Sequence, residues 1–343
     1  MDIQVDYPKS FAIFCAYFSS IFISLLFISK TLFNSLKFPK SRFFLLLALG
    51  SFLVTWYFML EYFKDSYVQW KRQSGNNAEF SLNILSHWLE GTHLFDDAWK
   101  LVSVGYYQWF WSHQLCVFVV AVWTPFILYE GKRRNIPHIW AYMVIGQLVA
   151  ISTASCLFYA AVASKAPTKN TFNKTGLLLL CVILGLAGVI YIPKVADTDL
   201  FITALIAVHV VCLLPLFPFG ASKMTVQSRA LTAGLYMFSA GAGLLILGQQ
   251  VLDVWWTLPA GDFTDLVATF GSNLAEAFFH HPAQSSIGSD IVLVNLITIF
   301  YIMIEGADIL LILLTPFLTP SVTLGLYLAQ QEVSRISIPL KEE

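Results

Sequence analysis

Residues 291–318, IVLVNLITIFYIMIEGADILLILLTPFL, carry the most information about this chain. The run is apolar and longer than the roughly 20 residues that a helix needs to cross a bilayer, yet it holds Glu305 and Asp308 near its middle. A carboxylate at mid-membrane costs roughly 2.5–3.5 kcal/mol on insertion scales. Residues three apart share one helical face, so we expect both acids to face a protein interior or a wet cavity. They are therefore the first candidate catalytic residues.

The composition is that of a multi-pass membrane protein. Of the 343 residues, 57% are hydrophobic and 12% are charged, whereas about 25% are charged in soluble domains. The net charge of −1 gives no reason to expect a nucleic-acid partner. The chain shows none of the common nucleotide, metal or nucleophile motifs, so we expect no cofactor and no metal. The five cysteines lie in apolar runs without close pairing, which argues against disulfides or zinc.

Apolar runs predict an all-α, polytopic transmembrane bundle of about eight membrane helices, with seven as the alternative. The predicted crossings are residues 11–29, 43–60, 109–129, 139–162, 176–191, 200–219, 230–252 and 291–318. They form one membrane domain, residues 1–320, followed by a short exposed tail, residues 321–343.

Two long connections interrupt the bundle. Residues 61–108 contain apolar side chains at helical spacing, which predicts an amphipathic helix at the bilayer surface between the second and third crossings. Residues 253–290 contain no Lys or Arg and are therefore expected outside the cytosol. The basic residues after the first and third crossings indicate a cytosolic position for those connections. With eight crossings, residues 253–290 would lie on the same side of the membrane as the two basic connections, so the assignments conflict. A miscount of crossings within residues 176–219 would remove the conflict.

Two further residues are candidates for acid–base chemistry. His209 lies in the middle of its apolar run, where it would relay a proton or partner Glu305; the simpler interpretation is a neutral ring bonded to a backbone carbonyl. Glu130 closes the third crossing just before three basic residues. It is most simply an interfacial residue paired with Lys132 or Arg134, and the alternative is a role inside a cavity.

Aromatic and amide side chains are candidates for binding a substrate, because aromatic ring faces stabilise a passing carbocation. The candidate binding residues are Trp109, Trp111, His113, Gln114, Trp123, Gln147 and Tyr301. Asn173 begins an Asn-Lys-Thr acceptor sequon and is a candidate glycosylation site.

Three segments support a family resemblance: HWLEGTHLFDDAW at 87–99, WFWSHQ at 109–114 and YEGKRRNIPHIWAYMVIGQLVAIS at 129–152. Residues 80–165 as a whole resemble fungal multi-pass integral membrane proteins of indole-diterpene gene clusters, of the paxilline and lolitrem type. The resemblance implies a role in secondary-metabolite (mycotoxin) biosynthesis, in the endoplasmic reticulum, beside other biosynthetic enzymes. It transfers no catalytic residues to this chain.

Three functions fit these observations. The first is action on a prenylated or terpenoid intermediate, either as a scaffold or as an enzyme, which would then be a membrane-bound cyclase-like isomerase or lyase. The second is proton-coupled transport or export of a hydrophobic metabolite. The third is a structural partner, in which the acids only hold helices together. The expected partners are membrane lipid and a hydrophobic isoprenoid-type molecule.

Overall fold

The computed structural model describes residues 5–75, 78–168, 172–217 and 221–336. In chain order its elements are α1 (Pro8–Ser35), α2 (Pro39–Ser74), α3 (Leu82–Gly91), α4 (Leu94–Ser103), α5 (Tyr106–Phe118), a π-helical turn (Val119–Trp123), α6 (Thr124–Arg133), α7 (Ile139–Leu148), α8 (Ile151–Ala163), β1 (Phe172–Asn173), α9 (Thr175–Val195), α10 (Leu200–Leu213), a 3-10 turn (Leu214–Leu216), β2 (Ser222–Lys223), α11 (Val226–Trp255), α12 (Phe263–His280), α13 (Pro282–Glu305) and α14 (Ile309–Ile336).

Helices that can cross a membrane dominate this fold. Seven in the described part of the chain are long and apolar enough: α1, α2, the continuous α5–α6 segment, α9, α11, α13 and α14. The protein is therefore an all-α, multi-pass membrane protein, as the sequence predicts. The predicted amphipathic element between the second and third crossings is also confirmed, as the pair α3 and α4. This connection is shorter than expected, because α2 continues to Ser74.

The α5–α6 segment forms the centre of the bundle. Of its most apolar 18-residue window, 89% is buried inside the protein. The π-helical turn at Val119–Trp123 widens the helix here, and the Thr124 hydroxyl bonds to the Val119 carbonyl at 2.8 Å. Such π-bulges are frequent at functional sites.

The predicted fourth crossing, residues 139–162, is wrong, because this segment is a re-entrant hairpin. α7 ends at Leu148, and α8 begins at Ile151 in the opposite direction. The chain after α8 returns to the point where α7 began. There the Thr168 N–H donates to the Arg133 carbonyl at 2.7 Å, and Lys165 Nζ donates to the Asn135 carbonyl at 2.8 Å.

Small side chains let α8 pass through the interior of the bundle. From Ile151 to Val162 every residue is buried, and six of these twelve residues are Ala, Ser or Cys, which permit close helix approach. Hydroxyls hold α8 against α2. Ser51 Oγ lies 2.6 Å from Ser152 Oγ and 2.9 Å from Thr153 Oγ1.

The predicted last crossing, residues 291–318, is also wrong, because two helices share that run. α13 ends at Glu305, the backbone turns through Gly306 and a left-handed Ala307, and α14 then begins. α14 itself folds back at Thr319, where φ is 69° and ψ is 159°. Thr315 Oγ1 donates to Thr323 Oγ1 at 2.9 Å. Eight residues of straight helix would separate these side chains by about 12 Å, so α14 is a second re-entrant hairpin.

The predicted exposed tail is wrong where the structure describes it. Residues 321–336 form the returning arm of α14, and most are buried; residues 337–343 lie outside the described residues. The shorter α10 crosses the bundle instead. Near one end Lys100 Nζ lies over the Phe201 ring, and near the other Lys174 Nζ donates to the Pro215 carbonyl at 3.0 Å. Within the described ranges the crossings are therefore α1, α2, α5–α6, α9, α10, α11 and α13.

The two ends of the bundle differ in charge. One end, the acidic face, carries α3, α4, α12 and the acids Asp65, Glu90, Asp96, Asp97, Asp253, Asp262, Asp265 and Glu276. The other end, the basic face, carries both ends of each hairpin and the bases Lys37, Lys40, Arg42, Lys132, Arg133, Arg134, Lys165, Lys174, Lys223, Arg229 and Arg335. The acidic face also carries Lys9, Lys64, Lys71, Arg72, Lys100 and Lys194, which are fewer bases than the basic face carries. By the positive-inside rule we therefore assign the basic face to the cytosol. The orientation conflict came from counting residues 139–162 as a crossing, which they are not. Residues 176–219, where the sequence suggested a miscount, hold two crossings, α9 and α10.

Candidate functional site

A cavity of about 480 Å³ lies above the tip of the first hairpin, on the side toward the acidic face. It is bounded by α4, α10, α13 and the π-helical turn of the third crossing. Its wall is mostly apolar, and the side chains on it that can hydrogen-bond or carry charge are Tyr17, Thr55, Tyr62, Asp96, Trp99, Cys116, Gln147, His209, Cys212, Ser286 and Asp290. An apolar chamber of this size with a few polar groups is typical of small-molecule sites.

Asp290 is the buried acid of this cavity. Its Oδ2 accepts from the Ile151 N–H at 2.9 Å, and its Oδ1 accepts from the Ser152 N–H at 2.8 Å. These N–H groups begin α8 and have no partner in their own helix, so Asp290 acts as a helix cap supplied by another helix. Negative charge is also favoured at a helix N-terminus. Asp290 therefore holds the hairpin tip and also lines the cavity.

His209 and Gln147 are the two predicted site residues that the fold brings together here. Gln147 Nε2 donates to the His209 carbonyl at 3.2 Å, and both side chains line the cavity. His209 Nδ1 donates to the Leu205 carbonyl at 2.7 Å, which is the backbone bond that the simpler interpretation of this histidine expects. That bond leaves Nε2 as the ring nitrogen available to a ligand. The Trp99 ring stands edge-on to His209 at 5.4 Å.

The cavity opens toward the lipid beside α10. Ile206 and Val210 line it, yet they are 57% and 46% exposed. Both belong to the apolar middle of a crossing helix, where the surroundings of the protein are acyl chains. Tyr17 of α1 closes the adjoining wall by donating its hydroxyl to the Leu148 carbonyl at the hairpin tip. A hydrophobic molecule can therefore enter sideways from the bilayer.

A second polar site, the ionic cluster, lies at the basic face. It consists of Glu130, Arg133, Arg134, Glu305, Glu332 and Arg335. Glu130 pairs with Arg133 and, at 3.1 Å, with Arg134, which confirms one of its two predicted partners. Both glutamates at the centre of the cluster, Glu130 and Glu332, are almost fully buried. Since three Arg balance three Glu, their burial leaves no net charge.

The ionic cluster joins both hairpins to the third crossing. Arg133 on α6 donates to Glu332 of the second hairpin at 2.5 Å. Arg134 donates to the carbonyls of Val162 and Lys165, at the end of the first hairpin, at 3.1 and 2.6 Å. The same guanidinium reaches Glu305 at 3.4 Å. Movement of either hairpin would therefore break several of these bonds.

The structure does not place Glu305 and Asp308 in a mid-membrane pocket. Glu305 ends α13 at the basic face with its side chain 23% exposed. Asp308 caps α14, where its Oδ1 accepts from the Leu311 N–H at 3.1 Å. Neither lines the cavity described above, and His209 does not pair with Glu305. The prediction of a buried acid pair facing one pocket is wrong, because a turn separates the two residues.

Most of the predicted binding residues have packing roles instead. Trp111 Nε1 donates to the Leu274 carbonyl of α12 at 3.0 Å. His113 and Gln114 bond to carbonyls one turn earlier in their own helix. The Tyr301 ring stacks on Tyr159 at 4.3 Å. Trp109 and Trp123 are buried in the core, and neither lines the cavity.

The predicted glycosylation site lies at the basic face. Asn173 belongs to β1, which pairs with β2, and its Nδ2 donates to Ser222 Oγ at 3.1 Å. Its Oδ1 accepts from the Thr175 hydroxyl at 2.7 Å. In the assigned orientation this side chain faces the cytosol, where N-glycans are not added, so the orientation argues against modification.

Sequence reasoning missed Asp290 because it placed this residue in a connection. A usable signal was present: PAQSSIGSD, residues 282–290, lacks Lys and Arg and is rich in small residues, as are buried membrane-helix interfaces. In the described ranges, no group of three or more His, Cys, Asp or Glu side chains is arranged to hold a metal ion.

Comparison with known proteins gives one match. A family model described as a protein of unknown function, DUF2834, matches residues 80–163. This segment covers α3 to α8, and thus the amphipathic pair, the third crossing and the first hairpin. No curated protein and no solved structure matches the chain. The match covers about a quarter of the sequence, and it adds no biochemical activity.

Proposed function

We propose that this protein binds a prenylated or terpenoid intermediate of secondary-metabolite biosynthesis in the cavity beside α10. The molecule would enter from the bilayer, in the endoplasmic reticulum. The protein would then either cyclise the intermediate or present it to partner enzymes. The resemblance of residues 80–165 to indole-diterpene-cluster membrane proteins supports the metabolite class.

The observation that carries the proposal is a lipid-facing apolar cavity with a carboxyl group and an imidazole on its wall. Its volume of about 480 Å³ lies in the range of small-molecule pockets. The exposed Ile206 and Val210 put its opening where a hydrophobic ligand is most concentrated. Water-soluble ligands would not gain from this position.

Asp290 takes over the role that the sequence suggested for Glu305 and Asp308. In a cyclisation it would be the candidate acid that protonates an epoxide or alkene, and His209 the candidate base that removes a proton at the end. The Trp99 ring would stabilise positive charge formed between them. If the protein is a scaffold, the same side chains would orient the ligand.

One observation favours transport as a second candidate function. Both hairpins enter from the basic face and break near mid-membrane, at Ala150 and at Thr319. Transporters place substrate sites at such interrupted helices. In this alternative the ionic cluster would be a gate, and the cavity would hold the cargo.

Three variants in a producing strain test the proposal. Ile206→Trp blocks the cavity opening, Asp290→Asn changes the acid, and Leu244→Trp is the matched control on the exposed surface of α11. We expect the first two to abolish the product per molecule of folded protein and to accumulate a prenylated precursor, while the control is normal. Product is normalised to protein abundance, because Asp290→Asn also weakens the hydrogen bonds at the hairpin tip. Product that forms but stays inside the cells would select transport. Normal product in both cavity variants would eliminate the cavity as the functional site.

A further inference from the structure

Buried hydroxyls line the interface between α8 and α13, from the cavity to the ionic cluster. On α13, Asp290, Thr298, Tyr301 and Glu305 fall within about 80° of one another around the helix, at 100° per residue. Glu305 follows Asp290 by fifteen positions, a rise of about 22 Å along the helix. One helix face therefore joins the acid of the cavity to the basic face.

α8 supplies the opposite wall of this row. Cys156 lies one helical turn after Ser152, whose N–H bonds to Asp290, and the next turn brings Tyr159, whose ring stacks on Tyr301. Tyr301 lies one helical turn before Glu305, and its ring meets that of Phe126, which lies one turn before Glu130, at 5.4 Å. The row is thus continuous from Asp290 to the cytosolic end of α13.

Several of these polar groups lack partners. The hydroxyl of Tyr159 faces that of Thr298, but the two do not reach hydrogen-bonding geometry. Ser155 Oγ, one turn before Tyr159, also has no partner among the described residues. All three residues are at most 1% exposed. Buried hydroxyls are rarely left unpaired, and internal water commonly bonds to such groups.

We propose that water molecules bind between α8 and α13 and form, with these hydroxyls, a proton path from the ionic cluster to Asp290. A proton enters from the cytosol at Glu305, which is partly exposed. Each water or hydroxyl on the path accepts a proton on its oxygen and passes another one on. The last proton binds the Asp290 carboxylate, so the net change is one proton moved to the cavity.

This path rests on the proposed function only through Asp290, the candidate acid of the cavity. It would restore the acid after each cyclisation, or couple proton movement to transport. The groups that face Asp290 from neighbouring helices are the Ile151 and Ser152 N–H groups and Cys156. At the other end, Arg134 and Tyr327 face Glu305.

Infrared difference spectroscopy of the whole protein in nanodiscs tests the path. The carboxylic acid band of Asp290 is identified by its loss in Asp290→Asn, and its shift is followed after transfer to D₂O. We expect Tyr159→Phe and Thr298→Val each to slow this exchange on the order of tenfold or more. Tyr142→Phe is the matched control, since it removes an equally buried, unpartnered hydroxyl on α7.

Unchanged exchange in both path variants would overturn the proposal, and so would the lack of a protonated Asp290 band between about pH 5 and pH 9. A second measurement uses the unmodified protein, so that the proposal can still be tested if the variants misfold. Radiolytic labelling with ¹⁸O-water should mark Tyr159 and Tyr301 as quickly as the exposed Tyr106. Labelling as slow as that of the fully buried Phe201 would also overturn it. Either failure leaves the ligand test with Ile206→Trp unaffected.

Discussion

Replacing Asp290 by Ala should be among the most destabilising single changes in this protein. The carboxylate bonds to two backbone N–H groups at the tip of the first hairpin, at 2.9 and 2.8 Å. Hydrogen bonds to a charged group contribute about 1.5–3 kcal/mol each, so their joint loss should cost about 3–6 kcal/mol. Asp290→Asn keeps one acceptor oxygen and should lose about half of that.

The assay is SDS-induced unfolding in mixed micelles, with the free energy of unfolding compared between variants. Asp308→Ala is the matched control. It also removes a carboxylate cap, but one at the membrane boundary, where water replaces the lost bond, and it should cost about 0.5–2 kcal/mol. Side-chain hydrogen bonds inside another membrane protein average only about 0.6 kcal/mol. A cost below about 1 kcal/mol for Asp290→Ala would therefore refute the reasoning that this carboxylate holds the hairpin tip.

Four further predictions use simpler perturbations. Arg134→Ala should cost about 3–5 kcal/mol because it leaves Glu130 buried without one of its partners, whereas Lys64→Ala, in an exposed pair, should change little; equal effects would contradict the role of the ionic cluster. Gly185→Ala places a Cβ 2.4 Å from Val120 Cγ1 and should destabilise by about 1–3 kcal/mol, whereas Gly241→Ala, with open space around it, should not; thermal unfolding of both variants decides. Burial lowers the pKa of His281, whose Nδ1 accepts from the Ala283 N–H at the start of α13. The folded state therefore binds fewer protons than the unfolded state, and stability should fall as pH drops through about 6.5; His281→Asn should flatten that slope, and an unchanged slope would contradict this assignment. Finally, a glycosylation sequon introduced at Gly261 should be modified in microsomes while Asn173 is not, and the reverse pattern would invert the assigned orientation.

Two helix breaks could have been recognised in the sequence. Gly306 followed by Asp308 combines a residue that ends helices with one that caps them, so EGAD marks a boundary inside the apolar run 291–318. Pro320 disfavours helical backbone at Thr319 and cannot donate a hydrogen bond of its own. Hydropathy averaged over a whole span hides both signals. The carboxylates at the first boundary therefore looked like mid-membrane acids.

The first hairpin could not have been recognised in this way. Residues 139–162 read as one apolar helix, and its break at Val149 and Ala150 contains no Gly or Pro. The break persists because Asp290, 138 residues away from Ser152, bonds to the N–H groups that it exposes. Likewise, Arg134 can bond to the end of α8 only because the hairpin returns to the basic face. Contacts between residues this far apart have no local signature.

The sequence alone determined that this chain is a helical membrane protein with amphipathic helices after its second crossing. Hydropathy and helical periodicity are properties of neighbouring residues, so they can be read without the fold. Tertiary structure decided which apolar runs cross the bilayer and which turn back, and hence which acids are buried. A backbone break inside the membrane is stable only where another helix supplies its hydrogen-bond partners, and those partners become neighbours only when the bundle is assembled.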